Sequence, residues 1–513
     1  MYDVAIIGCG PVGALAANLL GKYGLSTLVV EKEANPFPLP RAVHLDHEMM
    51  RLFQSVDVIE QVLDDMRDTQ GHLHVGADHG VIRYMGTVGK PRPFGWSNDY
   101  FFYQPELEDH LRDALSRYKN VSLKLGTEFI SLTQDAEQVT LTLEHQGERY
   151  TEQARWVIAC DGSRSQVRKQ LGIKLDDLKF EEPWLVVDAE VDGDVKFPNL
   201  TGVPADADLQ SLSVMMCDPK RPATIVPGRG NHRRWELMLL PGEDDQQMMQ
   251  PEKVAELISP YLEGVPHQII RASTYRFHGL IAEQWRQGNV FLAGDAAHQT
   301  PPFFGQGMCH GLRDVANLAW KMDLIKRGLA VAEVLDTYQQ ERDPHVRAVI
   351  SAAVNVGRYI CVLDEDKAAQ RDIEIREKAK QPTGTGTAAD LIPNIQAGIV
   401  ADASVSGRFI QPKLHTALGE QLLDDVVPGE WRLFVADADA VEQAKKALAE
   451  YQGVEIQLVD MRELDDGGKV QAWLEQHQAS AVLVRPDFYV YGTANGSPQS
   501  LFNQLNAQLQ GQF

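Results

Sequence analysis

Short apolar runs separated by helical patterns organise the first part of the chain. Residues 4–7 form an unbroken apolar run, which is typical of a strand buried on both faces of a parallel sheet. A helical pattern follows at residues 14–23, and a second apolar run at residues 28–30 ends on Glu31. This order predicts a strand–helix–strand unit and an α/β fold for the chain.

The pattern changes in the middle of the chain. Runs at residues 184–188, 212–216 and 235–239 resemble strands, with turns between them and no helical period. They predict a separate, mainly antiparallel sheet inserted into the α/β domain. Buried runs at residues 156–160 and 289–293 predict strands that belong to the first sheet.

These patterns divide the chain into three structural units. Residues 1–178 and 276–380 are predicted to form two parts of one α/β domain, and residues 179–275 are predicted to form the inserted sheet. After a low-complexity linker at residues 381–387, alternating strand and helix patterns predict a small α/β domain at residues 400–513. An inserted sheet that faces an α/β domain forms a cleft, which is the usual place for a small-molecule site.

The turn after the first strand carries a glycine motif. We expect Gly8 to allow a tight turn, Gly10 to let a pyrophosphate approach the backbone, and Gly13 to let the helix pack against the strand. Glu31 follows about 20 residues later, where a carboxylate accepts hydrogen bonds from a ribose. The motif predicts a Rossmann-like site for FAD or NAD and disfavours NADP there. The alternative is an ordinary turn between a strand and a helix.

Three further polar residues are candidates for cofactor contacts. Arg41 lies in a proline-rich loop, and it contacts either a cofactor phosphate or flavin ring, or only solvent. Asp161 follows a predicted strand in an Asp-Gly turn, at the sheet edge where open α/β sheets bind ligands. Asp295 follows another predicted strand, and it either accepts hydrogen bonds from a polyol chain or caps a helix.

Composition narrows the expected partners and location. The chain has 513 residues with 44% hydrophobic content, so we expect about two to four domains with a large core. Its net charge of −23 argues against nucleic acid and anionic membranes as partners, and no apolar run is long enough to span a bilayer. The first strand begins at the amino terminus, which leaves no room for a signal peptide. Five scattered cysteines have neither a disulfide pattern nor a metal-ligand spacing, so we expect a reduced, cytoplasmic protein without a metal site.

The three predicted turns stand in a fixed order along the chain. The glycine motif with Glu31, the Asp161 turn and the Asp295 turn together resemble the class A flavoprotein aromatic hydroxylases, over residues 1 to about 350. Residues 40–43 (Pro-Arg-Ala-Val) and 180–184 (Phe-Glu-Glu-Pro-Trp) are similar to the 3-(3-hydroxyphenyl)propionate hydroxylase branch. The resemblance implies that FAD is bound by Gly8, Gly10, Gly13, Glu31, Arg41, Gln104, Asp161 and Asp295.

The last segment is similar to the thioredoxin-like carboxyl-terminal domain of these enzymes. Arg485-Pro486-Asp487 matches its last hairpin, and Phe488 stands where the resemblance leads us to expect glycine. The segment has no C-x-x-C motif, which argues against a redox role. This part of the family sets oligomerisation, and a homodimer is one prediction.

The resemblance also implies the reaction. NADH or NADPH reduces FAD, molecular oxygen adds to give a flavin hydroperoxide, and this species hydroxylates a small phenolic acid such as 3-(3-hydroxyphenyl)propionate. We expect the inserted sheet and the loop at residues 301–308, with Pro302 and Gly305, to exclude water from the site. Backbone amides of that loop, including those of Gly307 and Met308, are expected to stabilise negative charge on the reduced flavin.

The remaining candidates concern the substrate. His44 is a candidate base for the phenol, because its loop also holds Arg41, and the alternative is a structural histidine. Met215, Trp235 and Met238 are candidates for the pocket lining or for ordinary core packing, and Arg234 is a candidate cation for an acidic substrate. Three other functions stay open: a flavin monooxygenase for a larger polyketide, indole or N-heterocycle, a catalytically silent FAD-binding interaction protein, and an NAD-dependent dehydrogenase.

Overall fold

The structure is a computed structural model that describes residues 1–380 and 391–513. The predicted linker at residues 381–387 lies outside this part of the chain. The helices are α1 (Pro11–Lys22), α2 (His47–Ser55), α3 (Ile59–Leu63), α4 (Gln104–Asp113), α5 (Gln166–Gln170), α6 (Asp245–Met248), α7 (Pro251–Leu262), α8 (Gly307–Lys326), α9 (Thr337–Ile360), α10 (Glu365–Ala379), α11 (Leu423–Val426), α12 (Ala438–Glu450), α13 (Lys469–Gln476) and α14 (Gln499–Leu509).

In the described part of the chain the strands form two sheets of eight strands and three smaller sheets of four, three and two strands. Their bounds are β1 (Tyr2–Ile7), β2 (Thr27–Glu31), β3 (His44–Asp46), β4 (Arg67–Asp68), β5 (Gly71–Val75), β6 (Val81–Gly86), β7 (Asp99–Phe101), β8 (Val121–Leu125), β9 (Thr127–Gln134), β10 (Val139–His145), β11 (Glu148–Ala159), β12 (Leu175–Val191), β13 (Ser213–Met216), β14 (Ala223–Pro227), β15 (His232–Met238), β16 (His267–Ala282), β17 (Arg286–Gln287), β18 (Val290–Leu292), β19 (His298–Gln299), β20 (Lys413–Thr416), β21 (Gly419–Leu422), β22 (Trp431–Val435), β23 (Ile456–Asp460), β24 (Ala481–Val484) and β25 (Val490–Ala494).

The first large sheet contains the predicted buried strands. Its order is β17-β18-β11-β1-β2-β8, with the β9–β10 hairpin joined to β11. Strands β18, β11, β1, β2 and β8 are parallel neighbours, and the apolar residues of β1 and β2 are almost completely buried, as expected for strands covered on both faces. Because parallel strands end at one edge, the turns that follow β1, β11 and β18 lie side by side.

Two helices cover this sheet next to that edge. Helix α1 begins at Pro11, whose missing N–H costs nothing in the first turn, and its small residues let it lie close to β1. Helix α8 packs on α1 and is buried along almost its whole length. Since α8 is buried on all sides, its charged residues need partners inside the protein. None of the helices in the described part of the chain combines the length and apolar character that a membrane crossing requires.

The second large sheet is mainly antiparallel, as predicted. Its order is β19-β16-β12-β15-β14-β13-β5-β6, and β13 with β5 is its parallel pair. Strands β5 and β6 come from residues 71–86, which the sequence analysis did not assign to this sheet. The sheet is therefore assembled from chain segments on both sides of the predicted insertion at residues 179–275.

The two faces of the second sheet differ. Residues of its outer face pack in one apolar cluster with α7; they include Leu73, Val214, Ile225, Trp235 and Leu237. Alternation along the strands places His72, His74, Met215, Thr224, Glu236 and Met238 on the inner face. Met215 and Met238 accordingly belong to the main cluster that the sheet shares with the first domain.

The carboxyl-terminal segment contains a four-stranded sheet in the order β23-β22-β24-β25. With its helices, the chain runs through it as βαβαββα, which agrees with the predicted thioredoxin-like α/β domain. Arg485 and Asp487 lie in the turn between β24 and β25, as the resemblance implied. The indole of Trp431 in β22 packs edge-on against Trp320 of α8, with ring centroids 5.6 Å apart, so this sheet contacts the helix that begins at the cofactor edge.

Candidate active site

The glycine turn separates three structural roles. Gly8 has a φ of +97°, and a Cβ there would overlap the carbonyl of Cys160, so the turn lies directly against the end of β11. A Cβ at Gly13 would overlap the carbonyl oxygen of Gly8, which explains how closely α1 approaches the turn. A Cβ at Gly10 would meet no atom within 4 Å. Gly10 is therefore the position at which a phosphate can reach the backbone.

Glu31 ends β2 and holds the outside of this turn. Its Oε2 accepts a hydrogen bond from the backbone N–H of Cys9 at 2.8 Å, and its Oε1 accepts one from Glu33 at 2.9 Å. Each carboxylate oxygen has a second lone pair. Glu31 can therefore keep both contacts and still accept hydrogen bonds from a ribose.

Gln104 positions the loop that carries Arg41. Its Oε1 accepts hydrogen bonds from the backbone N–H groups of Arg41 at 3.2 Å and Ala42 at 2.7 Å, and its Nε2 donates to Glu108 at 2.6 Å. The Arg41 guanidinium is 57% exposed and lies 3.9 Å from Glu108. The backbone of Arg41 is thus fixed while its charged group stays accessible to a ligand.

Arg112 is a residue that the sequence analysis missed. It lies on α4, donates from Nε to the carbonyl oxygen of Cys9 at 2.9 Å, and approaches Glu108 to 3.7 Å. Its Nη1 is buried and has no hydrogen-bond partner in the described part of the chain. A buried guanidinium beside a glycine turn suits an anionic phosphate. The i, i+4 spacing of Glu108 and Arg112 on a predicted helix was the available signal.

The Asp161 turn meets the glycine turn from the neighbouring strand. Asp161 Oδ2 accepts a hydrogen bond from the backbone N–H of Val167 at 3.1 Å. Its Oδ1 is buried, and among the described residues it has no hydrogen-bond partner. Burial raises the pKa of Asp161 above its usual range. An unsatisfied carboxylate oxygen at this edge is suited to a hydroxyl or N–H group of a cofactor.

The Asp295 turn completes the edge. Gly294 has a φ of +61°, and its neighbours Val12 of α1 and Gly311 of α8 lie so close that larger residues would clash. The Gly294 N–H donates to the buried Asp314 at 3.0 Å, and Asp314 also contacts His298 at 2.7 Å and Arg342 at 3.0 Å. Asp295 itself is accessible to solvent, and desolvation by the surrounding protein raises its pKa. The structure thus brings all three predicted turns together.

His44 lies against the loop at residues 301–308. Pro302–Phe304 forms a single helical turn, Gly305 has a φ of +63°, and a Cβ at Gly305 would lie only 2.5 Å from His44 Nδ1. His44 Nε2 lies 3.2 Å from the buried carboxylate of Asp99. Burial disfavours a charge on His44, but Asp99 and the Gly305 carbonyl outweigh it and raise the pKa of His44. Both ring nitrogens are buried, one beside Asp99 and the other beside Gly305, so these contacts suit a histidine that holds the loop, and its role as a base stays a prediction.

Gly307 and Met308 form the first turn of α8, next to this loop. The first N–H groups of an α-helix have no intrahelical partner, and the helix dipole places partial positive charge there. The amino end of this 20-residue helix is therefore suited to the negative charge of a reduced flavin ring. The structure places both residues at the amino end of α8, and their contact with the flavin stays a prediction.

The structure separates the predicted substrate residues. Met215 and Met238 lie on the inner face of the second sheet, whereas Trp235 lies on the outer face and packs near Tyr261, with ring centroids 6.5 Å apart. Residues 235 and 238 differ by an odd number, so the alternation of a strand already places them on opposite faces. Trp235 is thus not brought to the face that Met215 and Met238 share.

Arg234 lies on the inner face but is fully engaged. Its Nε donates to Asp188 at 2.8 Å, and its two terminal nitrogens donate to the carbonyl oxygens of Arg41 at 2.7 Å and Pro40 at 2.6 Å. Arg271 binds the same Asp188 carboxylate and the Pro40 carbonyl. Arg234 therefore fixes the Arg41 loop to the second sheet, and its guanidinium is already paired with Asp188 and lies 3.9 Å from Glu236.

Comparisons with known proteins identify the family. Residues 1–353 match the family described as FAD binding domain, and residues 407–508 match the HcaD C-terminal domain. The chain belongs to the FAD-binding-domain family. The matched range includes the glycine turn, both aspartate turns and the loop at residues 301–308.

Relatives that are similar over almost the whole chain indicate the reaction class. The chain is 34% identical to the probable NADH-specific resorcinol 4-hydroxylase of Rhodococcus jostii (strain RHA1), over 97% of this chain and 93% of that protein. It is 35% identical to 3-(3-hydroxy-phenyl)propionate/3-hydroxycinnamic acid hydroxylase 2 of Burkholderia vietnamiensis (strain G4 / LMG 22486), over 95% of this chain and 93% of that protein. These findings confirm the predicted FAD-dependent aromatic monooxygenase and its cofactors, FAD with NADH or NADPH.

Solved structures of flavin hydroxylases share the fold. The ternary complex of aklavinone-11 hydroxylase with FAD and aklavinone has a TM-score of 0.79 and 24% identity, over 99% of both chains. The flavin-dependent monooxygenase PieE in complex with FAD and substrate has a TM-score of 0.81 and 24% identity, over 100% of this chain and 99% of that chain. At this identity the likeness concerns the fold, and it confirms the predicted FAD-binding architecture.

The residues at the edge fit FAD chemically. Gly10 offers bare backbone, and the unpartnered Arg112 Nη1 offers a positive donor for a pyrophosphate. Glu31, Asp161 and Asp295 offer acceptors for ribose and polyol hydroxyls. In the described part of the chain, no cluster of three or more histidine, cysteine or acidic residues is arranged to hold a metal ion.

Proposed function

We propose that the protein hydroxylates a small phenolic compound with FAD, NADH and molecular oxygen, and that a phenolic acid is its substrate. The convergence of the three turns at one sheet edge, opposite the inner face of the second sheet, is the observation that carries this proposal. The relatives named for resorcinol and for 3-(3-hydroxyphenyl)propionate support a single-ring phenol. The relative named as NADH-specific supports NADH as the reductant.

In this proposal each predicted segment of the chain has a separate role. Residues 1–178 and 276–380 bind FAD, residues 179–275 provide most of the substrate face, and residues 400–513 support α8 from behind. The cofactor residues are Gly8, Gly10, Gly13, Glu31, Arg41, Gln104, Asp161, Asp295, Gly307 and Met308, with Arg112 added from the structure. FAD held by these residues would supply the chemistry that they lack, namely acceptance of a hydride from the nicotinamide cofactor and activation of oxygen for transfer to an arene.

The chain's own residues keep water away and move a proton. Phe303 packs against Phe180, Trp184 and Phe277, so the loop that begins with Pro302 is anchored by aromatic contacts to the second sheet. His44 holds the other side of this loop through Gly305. A phenol reacts best after it loses its proton, and His44 accepts that proton when its ring is neutral, which its raised pKa shifts to higher pH.

The proposal extends to the setting of the enzyme. All five cysteines are free in the structure, which is compatible with a reducing cytoplasm. The carboxyl-terminal domain offers the surface for a homodimer, as the resemblance implied. Sedimentation of the purified protein measures its oligomeric state directly.

Oxygen uptake and NADH oxidation by the purified holoenzyme test the function. We expect 3-(3-hydroxyphenyl)propionate or resorcinol to stimulate NADH oxidation and to be converted to a product with one added oxygen. Asp295→Asn should weaken FAD binding by about tenfold, the effect of losing a charge-assisted hydrogen bond. Asp192→Asn, on an exposed turn of the second sheet, is the matched control. Bound FAD without stimulation by any arene would support the silent FAD-binding protein and contradict the proposal.

A further inference from the structure

A row of residues crosses the inner face of the second sheet. Glu236 of β15 lies opposite Thr224 of β14, and Thr224 lies opposite Met215 of β13. Met215 in turn lies opposite His74 of β5, and His74 lies opposite Arg83 of β6. Directly opposite residues share a face of the sheet and are in contact range. The five side chains therefore form one continuous row from the middle of the sheet to its edge strand.

Several polar atoms in and beside this row lack partners. Within the described residues, Thr224 Oγ1, His74 Nε2 and His72 Nδ1 are buried and make no hydrogen bond. Buried polar groups in proteins are almost always hydrogen-bonded. These unsatisfied donors and acceptors lie on one face of the sheet, near the loop at residues 301–308. They indicate that a polar ligand binds there.

The tautomer of His74 follows from its neighbour. The hydroxyl of Tyr359 at the end of α9 forms a hydrogen bond with His74 Nδ1. Burial raises the pKa of Tyr359 and lowers the pKa of His74 well below its usual range, so the tyrosine is protonated and the imidazole is neutral. Tyr359 is then the donor and Nδ1 the acceptor, which leaves the proton of His74 on Nε2. This Nε2–H is an unused donor.

Arg83 ends the row with a positive charge. It is half-buried, and no carboxylate among the described residues pairs with it. Its charge acts on the neighbouring buried groups, since it contributes to lowering the pKa of both His72 and His74. The other arginines of the inner face, Arg234 and Arg271, share the Asp188 carboxylate, and both also donate to the carbonyl oxygen of Pro40. Arg83 differs from them because no carboxylate among the described residues holds its guanidinium, which therefore remains available to an anionic ligand.

The other end of the row holds an acid, Glu236, whose carboxylate lies 3.9 Å from the Arg234 guanidinium. Burial raises the pKa of Glu236 to about 7, so part of its population is ionised at neutral pH and the rest is a neutral hydrogen-bonding acid. A substrate carboxylate is disfavoured beside Glu236, whereas a phenol hydroxyl can bond with Glu236 or Thr224. The two ends of the row therefore differ in charge, which favours one orientation of a phenolic acid along it.

We propose that Arg83, together with the Nε2–H of His74, binds the carboxylate of a phenolic acid and thereby sets the substrate specificity of the enzyme. This inference rests on the proposed function, which it deepens. Strand β6 lies two strand spacings, about 10 Å, from Met215 at the middle of the row. An aryl ring near Met215 can therefore reach Arg83 with a carboxylate carried on a short side chain, as in 3-arylpropionates.

Steady-state kinetics with two substrates test Arg83. In Arg83→Gln, the KM for 3-(3-hydroxyphenyl)propionate should rise about 10- to 100-fold, the range expected for a lost charge-assisted hydrogen bond, while the KM for resorcinol and both kcat values stay within about twofold. Arg83→Lys should recover part of the affinity because it keeps the charge. Arg276→Gln removes an exposed arginine of the same sheet and is the control.

Binding experiments separate this inference from the proposed function. Titration of the holoenzyme with the acid, followed by the change in flavin absorbance, measures the site without turnover. Tight binding of the acid by the wild type and weak binding by Arg83→Gln supports the site even if no product forms. The role of Arg83 would be overturned if Arg83→Gln lost affinity equally for the acid and for resorcinol, or if it lost affinity for neither. It would also be overturned if resorcinol stimulated the wild type and the wild type did not bind the acid. This last result would leave the hydroxylase function intact.

Discussion

The cofactor edge and the seam between α8 and the carboxyl-terminal domain are built in opposite ways. At the cofactor edge, glycines let backbone segments touch: Gly8 meets Cys160, Gly13 meets Gly8, and Gly311 meets Gly294. At the seam, charged side chains are fully buried against one another. Lys321 lies 3.0 Å from Glu341, and Arg485 lies 2.7 Å from Glu341 and 2.6 Å from Asp487.

The seam also reaches the active site. Arg313 of α8 binds Glu48 at 2.7 Å and Asp46 at 2.5 Å, and Asp46 stands two residues after His44. Tyr489, directly before β25, donates a hydrogen bond to Glu48 at 3.2 Å. The carboxyl-terminal domain is therefore connected through side chains to strand β3, which holds His44. Backbone contacts thus form the cofactor edge, whereas a network of buried charges connects it to the carboxyl-terminal domain.

The largest expected effect concerns the backbone contacts. Gly13→Ala places a methyl group on the Gly8 carbonyl, so we expect a loss of about 3 kcal/mol of stability and loss of bound FAD. Gly10→Ala is the matched variant, because its added methyl group meets no protein atom and its backbone angles suit alanine. It should unfold at nearly the wild-type temperature but bind FAD weakly. Equal behaviour of the two variants in thermal unfolding would contradict the separate roles of the glycines.

The next effect concerns the charge network. Burial opposes ionisation of Glu341, but Arg485 and Lys321 outweigh it and lower its pKa from 4.5 to about 2. The charge thus contributes about 3 kcal/mol of stability above pH 4.5, and this contribution is lost as the pH falls from 4.5 toward 2. In urea unfolding, Glu341→Gln should therefore be less stable than the wild type at pH 7, and the gap should narrow at about pH 3.

An exposed acid of the same seam serves as the control for Glu341. Glu430 pairs with Arg327 at 3.2 Å, and both side chains are more than one-third exposed. Glu430→Gln should change the free energy of unfolding by less than about 0.5 kcal/mol. A gap between wild type and Glu341→Gln that stays constant with pH would show that the charge of Glu341 is not what stabilises the seam.

The smallest effect concerns Phe488, which stands where glycine was expected. Its φ is +68°, a conformation that costs a non-glycine residue about 1 kcal/mol, and its ring lies 4.2 Å from the Arg51 guanidinium. Phe488→Ala loses the ring and keeps the strain, whereas Phe488→Gly loses the ring and relieves it. The glycine variant should be more stable than the alanine variant by about 1 kcal/mol in urea unfolding. The reverse order would mean that the turn carries no backbone strain.

The difference between the two regions also explains what the sequence can predict. The three turns were predictable because each one follows a recognisable strand within a few residues, and parallel strands bring such turns to one edge. The charge network was not, because Lys321 and Arg485 each look like ordinary exposed residues until the fold brings them to Glu341. Arg234 was a candidate for the substrate for the same reason, since the Asp188 that binds it lies 46 residues away.

Strands β5 and β6 show a second limit of local patterns. They join the second sheet through a parallel pair between β5 and β13, about 140 residues apart in the chain. Their residues include histidines and an arginine on the inner face, so the apolar signal of a buried strand is weak there. The proposed site at Arg83 lies on one of these two strands, which is why the sequence analysis did not find it.

The composite origin of the second sheet has a consequence for protein engineering. A chimera that exchanges only residues 179–275 with a relative would pair a foreign β13 with the resident β5, and it would keep the resident His74 and Arg83. Transfer of substrate preference between members of the family should therefore require exchange of residues 71–86 in the same step. Recombination boundaries chosen from the linear order of the chain alone would cut through the recognition surface.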